Sequence, residues 1–160
     1  MTPAPAAFAI PGDIAKRTGG YIYERRLLEE LRAQGREVAH LRLPASFPDP
    51  APAEMRQALA QMAEVPAGRP LIVDGLVFGA AEPAGLARLR APLVAMIHHP
   101  LALESGLTPE RAAHLYRTER ANLGHAAHVV VPSPHTRAVL VDRYGADPAR
   151  ITVAPPGSEP

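Results

Sequence analysis

Short, almost wholly apolar runs alternate along the chain with longer stretches whose apolar positions recur every three to four residues. The apolar runs fall at residues 6–10, 38–43, 71–74, 93–97, 128–132 and 151–154. Near-continuous Val, Ile and Leu in such runs is expected of parallel strands covered on both faces. Between them the spacing predicts helices over 20–34, 53–63, 83–89, 109–123 and 134–144. In the first, Ile22, Leu27, Leu28 and Leu31 share one side while Arg25, Arg26, Glu29, Glu30 and Arg32 take the remainder, and Gly35 is a natural stop. The second carries Met55, Leu59 and Met62 at helical spacing with Glu54 in its first turn, where the helix dipole favours a negative charge. Thr108-Pro109 and Ser133-Pro134 each place a capping hydroxyl before a proline at the first helical position, and Gly145 closes the last helix.

Strands alternating with helices of this length argue for βαβ units joined by right-handed crossovers. The expected fold is α/β: a doubly wound, mostly parallel six-stranded Rossmann-like sheet with helices on both faces. The common strand order 3-2-1-4-5-6 is expected, which would make strands one and four flank the point where the order reverses and where ligands settle. The Pro-rich segment 44–52 reads as a polar loop, Asp74-Gly75 as a strand-end turn, and no internal repeat is visible.

Composition narrows the function more than the fold. A chain of 160 residues with 47% apolar content fits one domain with a substantial core. Lys plus Arg number 17 against 16 Asp plus Glu, so a net charge of +1 supplies no broad field for nucleic acid. No nucleic-acid partner is expected. The absence of cysteine excludes disulfides and thiolate metal sites. The N-terminus lacks a basic start followed by a long apolar stretch, and no run approaches the roughly 18 apolar residues of a membrane span. A cytoplasmic setting is expected.

Two strand ends carry residues suited to an anionic or sugar-like ligand. After the first strand, the loop 11–20 leads through Thr18-Gly19-Gly20 to Tyr21 at a helix start, where backbone N–H groups can approach a phosphate without a Cβ in the way. The alternative is a turn that simply needs glycine. The Gly-x-Gly-x-x-Gly fingerprint is missing, and Lys16-Arg17-Thr18 lacks the glycine that precedes a P-loop lysine, which counts against a dinucleotide-dependent oxidoreductase or an ordinary ATPase. The fourth strand ends in His98-His99, of which at least one ring should face the crevice and hydrogen-bond a sugar hydroxyl or phosphate. Asp74, ending the third strand, can serve a polyol in the same way. Ser133 is followed by Pro134, not set in a nucleophile elbow.

Other polar groups read as structural. His125 and His128 straddle a helix-to-strand junction and do not offer the shared face that helical metal ligands need, so no metal is expected. His40, His114 and His135 read as packing or surface residues. Arg111, Arg117 and Arg120 with His114 form a stripe on the helix over 109–123 that reads as a solvated face, diluted by Glu110 and Glu119.

Taken in order, Thr18-Gly19-Gly20 before an amphipathic helix, Gly35-Arg36-Glu37-Val38 entering strand two, Ile97-His98-His99 closing strand four, Val129-Val130-Val131-Pro132-Ser133, and the run from Ile151 through Pro155-Pro156-Gly157 resemble the N-terminal, acceptor-side half of a family 4 retaining glycosyltransferase of the GT-B fold. The resemblance covers nearly the whole chain. It implies that 1–160 is the N-terminal Rossmann-like domain and that a C-terminal domain, absent from this chain, binds the donor. The implied activity is transfer of a hexose from a nucleotide-sugar donor to a hydroxyl acceptor with retention, with no cofactor and no metal, and with peripheral membrane contact if the acceptor is lipid-linked. The isolated chain is expected to be inactive. By the same resemblance Gly19 and Gly20 match the glycine loop near the donor phosphate, His98 matches the histidine near the transferred sugar, and Ser133 matches a site-edge position. His99 stands where many relatives have an acidic residue, and Pro156 where many have Asn. The competing reading is a stand-alone Rossmann-like small-molecule binding or partner-docking module without catalysis.

Overall fold

The computed structural model describes residues 5–12 and 19–155, of which 19–23 are described by their backbone alone. The chain opens with β1 (Ala6–Pro11), α1 (Gly19–Ala33) and β2 (Val38–Leu43). It continues through α2 (Pro52–Ala63), β3 (Leu71–Asp74), α3 (Gly75–Ala80), α4 (Pro83–Ala87) and β4 (Leu93–Met96). A 3-10 turn (Leu101–Leu103), α5 (Pro109–Leu123), β5 (His128–Val131), α6 (Pro134–Tyr144), a second 3-10 turn (Pro148–Arg150) and β6 (Ile151–Val153) complete it. All six strands form one parallel sheet, as the alternation of elements predicts.

The strand order is β2-β1-β3-β4-β5-β6, which corrects the expected 3-2-1-4-5-6. Burial gives the reason. Every residue of β1 is buried, whereas β2 carries half-buried His40 and exposed Arg42 and so tolerates an edge. β3, Leu-Ile-Val-Asp, has nothing polar to show solvent before Asp74 and goes inside, paired with β1 and β4. The order therefore reverses between β1 and β3, with β4 one strand further on.

The pleat sends alternate side chains to opposite faces. On one face Phe8, Ile10 and Met96 pack with Val38 and with Leu28 of α1, with Ile72 and Val130 half-buried at the margin. The larger core lies on the other face, where Ala7, Val73, Ala95 and Val129 meet Met62, Val77, Phe78, Leu86, Leu123 and Leu140 from the helices. Thr108 and Ser133 cap α5 and α6 through their side-chain oxygens, as the Thr-Pro and Ser-Pro pairs predict. Gly145 ends α6 in the left-handed conformation, φ 68°, which glycine adopts without steric cost.

Two local readings change. Asp74-Gly75 is not a simple turn: the Asp74 carboxylate accepts a hydrogen bond from the Leu76 N–H and caps the six-residue α3. The segment 44–52 is not wholly polar, since Phe47 is buried and Arg111 of α5 ties down Pro48 and Asp49.

Candidate functional site

At the carboxyl end of the sheet, β4 runs through Ile97, whose N–H still donates to the Val130 carbonyl at 3.0 Å, and then releases His98 into a loop. His98 is half-buried and His99 is exposed, so the two rings are not equivalent. His98 reaches inward. Its Nε2 lies 3.3 Å from Oε1 of Glu24 in α1, a carboxylate with no exposed surface. Asp74, at the end of β3 and only 3% exposed, completes the group. Ligand atoms of Glu24, Asp74 and His98 all lie within 4.8 Å of one another, a spacing that admits a shared proton or a small cation.

The three come from elements that the strand order makes adjacent. β3 and β4 are neighbours in register, Asp74 beside Met96. The approach is close because Gly75 has no side chain: a Cβ there would stand 2.7 Å from the Met96 carbonyl oxygen. α1 covers the same end, and Glu24 lies on its apolar stripe with Leu27, Leu28 and Leu31 at spacings of three, four and seven. That spacing was the available signal for Glu24, which the sequence reading passed over: a carboxylate on a buried stripe needs a partner.

Burial disfavours charge on all three. Glu24 is pushed up to about 7, chiefly by burial and partly offset by a hydrogen bond from Asp74. Asp74 is pushed well above the usual carboxylate range by burial, by that hydrogen bond to Glu24 and by the Glu24 charge. Two carboxyls bonded to each other need a proton between them, and these directions assign it to Asp74. His98 is pushed down chiefly by burial, so the ring is neutral near pH 7. The cluster can offer a neutral imidazole in a fixed orientation at the carboxyl end of the sheet.

Gly19 and Gly20 form the first turn of α1. The side chain of Tyr21, and all of Lys16, Arg17, Thr18, Pro156 and Gly157, lie outside the described residues. Ser133 is half-buried, and its hydroxyl accepts from the Thr136 N–H at 3.1 Å as the α6 cap. Asp74 faces Glu24 and its own helix instead of open solvent. His125 is exposed, whereas His128 sits 2.6 Å from the Thr152 hydroxyl.

Glu119 is not on the solvated face assigned to it: it has no exposed surface, and Oε1 accepts from the Leu101 N–H at 3.1 Å, pinning the loop that follows His98 and His99.

An all-parallel, doubly wound sheet with its polar cluster beyond the strand ends is a Rossmann-like ligand-binding domain. The model of the Glycosyltransferase Family 4 matches residues 22–160, and the chain belongs to that family. As a glycosyltransferase domain it serves sugar donor and acceptor substrates in general. No curated protein matches the chain significantly. Among the described residues no helix is long and apolar enough to cross a membrane.

Proposed function

We propose that this chain is the acceptor-side domain of a retaining hexosyltransferase, working against a second Rossmann-like domain that holds a nucleotide-sugar donor, in the cytoplasm and without a metal. The observation that carries this reading is His98, half-buried at the carboxyl end of β4 with its Nε2 3.3 Å from buried Glu24, in a family 4 chain. A neutral imidazole can hydrogen-bond a hydroxyl of the transferring hexose without placing a full positive charge beside a developing oxocarbenium centre. Backbone N–H groups at the Gly19-Gly20 start of α1 suit the donor phosphate, whose charge grows as the glycosidic bond breaks. Retention then follows from front-face substitution: the acceptor oxygen bonds to the anomeric carbon, the nucleoside diphosphate leaves from the same side, and its phosphate takes the acceptor proton. The acceptor approaches over the exposed His99 and the Ser133 edge. A single domain lacks the facing wall that excludes water, so it does not turn over alone.

The test assays the protein, with any further domain its gene encodes, against UDP-, GDP- and ADP-hexoses, following nucleoside diphosphate release and product anomer by NMR. His98→Ala is expected to lower turnover about 100-fold while the melting temperature stays close to wild type. Full turnover in His98→Ala, or an inverted product, overturns the reading. Saturable binding of one small molecule by 1–160 with no transfer in the whole protein would favour the binding-module alternative.

A further inference from the structure

The buried carboxylate behind His98 belongs to neither the glycine loop nor the sugar-facing residues, and it is costly to keep. A glutamate with no exposed surface gives up hydration that only well-placed partners restore. Glu24 has two such partners: the imidazole at 3.3 Å and the Asp74 carboxyl. Among the described residues no N–H or hydroxyl reaches its Oε2. Asp74 is itself oriented, since Oδ1 accepts from the Leu76 N–H at 2.8 Å. The result is a directed chain running from the α3 backbone through Asp74 and Glu24 to the ring.

We propose that Glu24 is a positioning residue for glycosyl transfer: held by Asp74, its carboxylate accepts a hydrogen bond from His98 Nε2–H and fixes the ring in one tautomer and one orientation toward the sugar. This rests on the glycosyltransferase reading of His98. In a neutral imidazole only one nitrogen carries a proton, so an acceptor at Nε2 makes Nδ1 the acceptor atom of the ring. Nothing needs to be oxidised or transferred at Glu24; it acts only through the ring. Among the described residues the titratable groups gathered here are Glu24 from α1, Asp74 from the β3–α3 junction and His98 from the β4 loop, and the burial of all three agrees with a neutral ring and a proton kept on Asp74.

The experiment is long-range proton–nitrogen NMR of the His98 ring, in the whole protein, with kcat and KM measured alongside. Wild type is expected to show a neutral ring protonated at Nε2 from about pH 7 upward. Glu24→Leu removes the acceptor, and the ring should become a mixture of tautomers with kcat falling about tenfold and KM moving less. Glu24→Gln keeps an acceptor oxygen and should restore the Nε2–H tautomer and most of kcat. If Glu24→Leu does not fold, Glu24→Met, which fills a similar volume without an acceptor oxygen, decides by the same loss of the Nε2–H tautomer. An unchanged tautomer in Glu24→Leu or Glu24→Met, or His98 resonances shifted by micromolar Zn2+ or Mn2+, would overturn the proposal, the last by making the cluster a cation site. The two readings fail separately. An inactive His98→Ala with an unchanged tautomer in Glu24→Leu removes Glu24 alone, whereas a lost tautomer with full turnover in His98→Ala removes the glycosyl-transfer role.

Discussion

Two buried glutamates sit on either side of one short helix, and they do different work. Glu24 in α1 and Glu119 in α5 both have no exposed surface, and burial pushes both carboxyls up to about 7. Glu24 faces a half-buried imidazole at the carboxyl end of β4. Glu119 faces a backbone amide, Leu101 N–H, and lies close enough to the Tyr144 hydroxyl to perturb it without either oxygen completing a well-formed hydrogen bond. Nearby, Asn122 donates to the Phe78 and Ala81 carbonyls at 2.7 and 2.8 Å, so α5 grips the end of α3 as well as the loop. In the proposal above the first glutamate orients a group that meets substrate, whereas the second holds the loop that follows it. A perturbed, buried acid is therefore no sign of a functional site until the partner it serves is known.

α3 touches both centres through glycines, and these give the strongest way to break the comparison. Gly75→Ala would set a Cβ 2.7 Å from the Met96 carbonyl oxygen and 3.4 Å from the Ile97 Cα. Backbone in the middle of a parallel sheet cannot give way, so a loss of about 3 kcal/mol is expected in chemical denaturation, together with displacement of Asp74 and a disturbed His98 ring signal. Gly79→Ala meets the Glu119 Oε2 and the Leu101 Cδ1, each at 2.7 Å. Both are ends of side chains that can rotate, so about 1–2 kcal/mol is expected. The His98 tautomer should survive this change. If Gly79→Ala altered the tautomer as much as Gly75→Ala, the two centres would be one unit.

The smallest effect concerns pH. For Glu119 the ordinary value is 4.5 and the folded value about 7, so between these the folded chain holds a proton that the unfolded chain has released. The stability tied to that proton is fully present below about pH 4.5, falls as pH rises and levels off above about pH 7. Glu24 and Asp74 act in the same direction. His98, pushed below 6.5, acts oppositely, since its neutral form is favoured and stability is lost as pH falls into that range. Glu119→Gln cannot titrate and still accepts from Leu101, so its stability should decline less than wild type between pH 5 and pH 8. An identical pH slope in the two proteins would show that Glu119 is ionised throughout and that the brace is an ion, not a neutral acid.

Local patterning sufficed for what depends on neighbours in sequence. The spans of β2, β3, α5 and α6 are legible because apolar periodicity, Thr-Pro and Ser-Pro starts and Gly145 all act within a few residues. His98 is legible as a strand-end residue, and the family read from the ordered motifs is the one whose model matches residues 22–160. The strand order is not legible, because which edge β3 joins depends on competition for burial among strands far apart in the chain. Only that order brings Glu24, Asp74 and His98, 74 residues apart from first to last, to one point. The same holds for Glu119, whose helix looks solvated until the loop after β4 folds onto its other side. Charge and hydrophobicity are properties of a residue, but the ionisation and role of a buried acid are set by its surroundings, and those exist only in the folded chain.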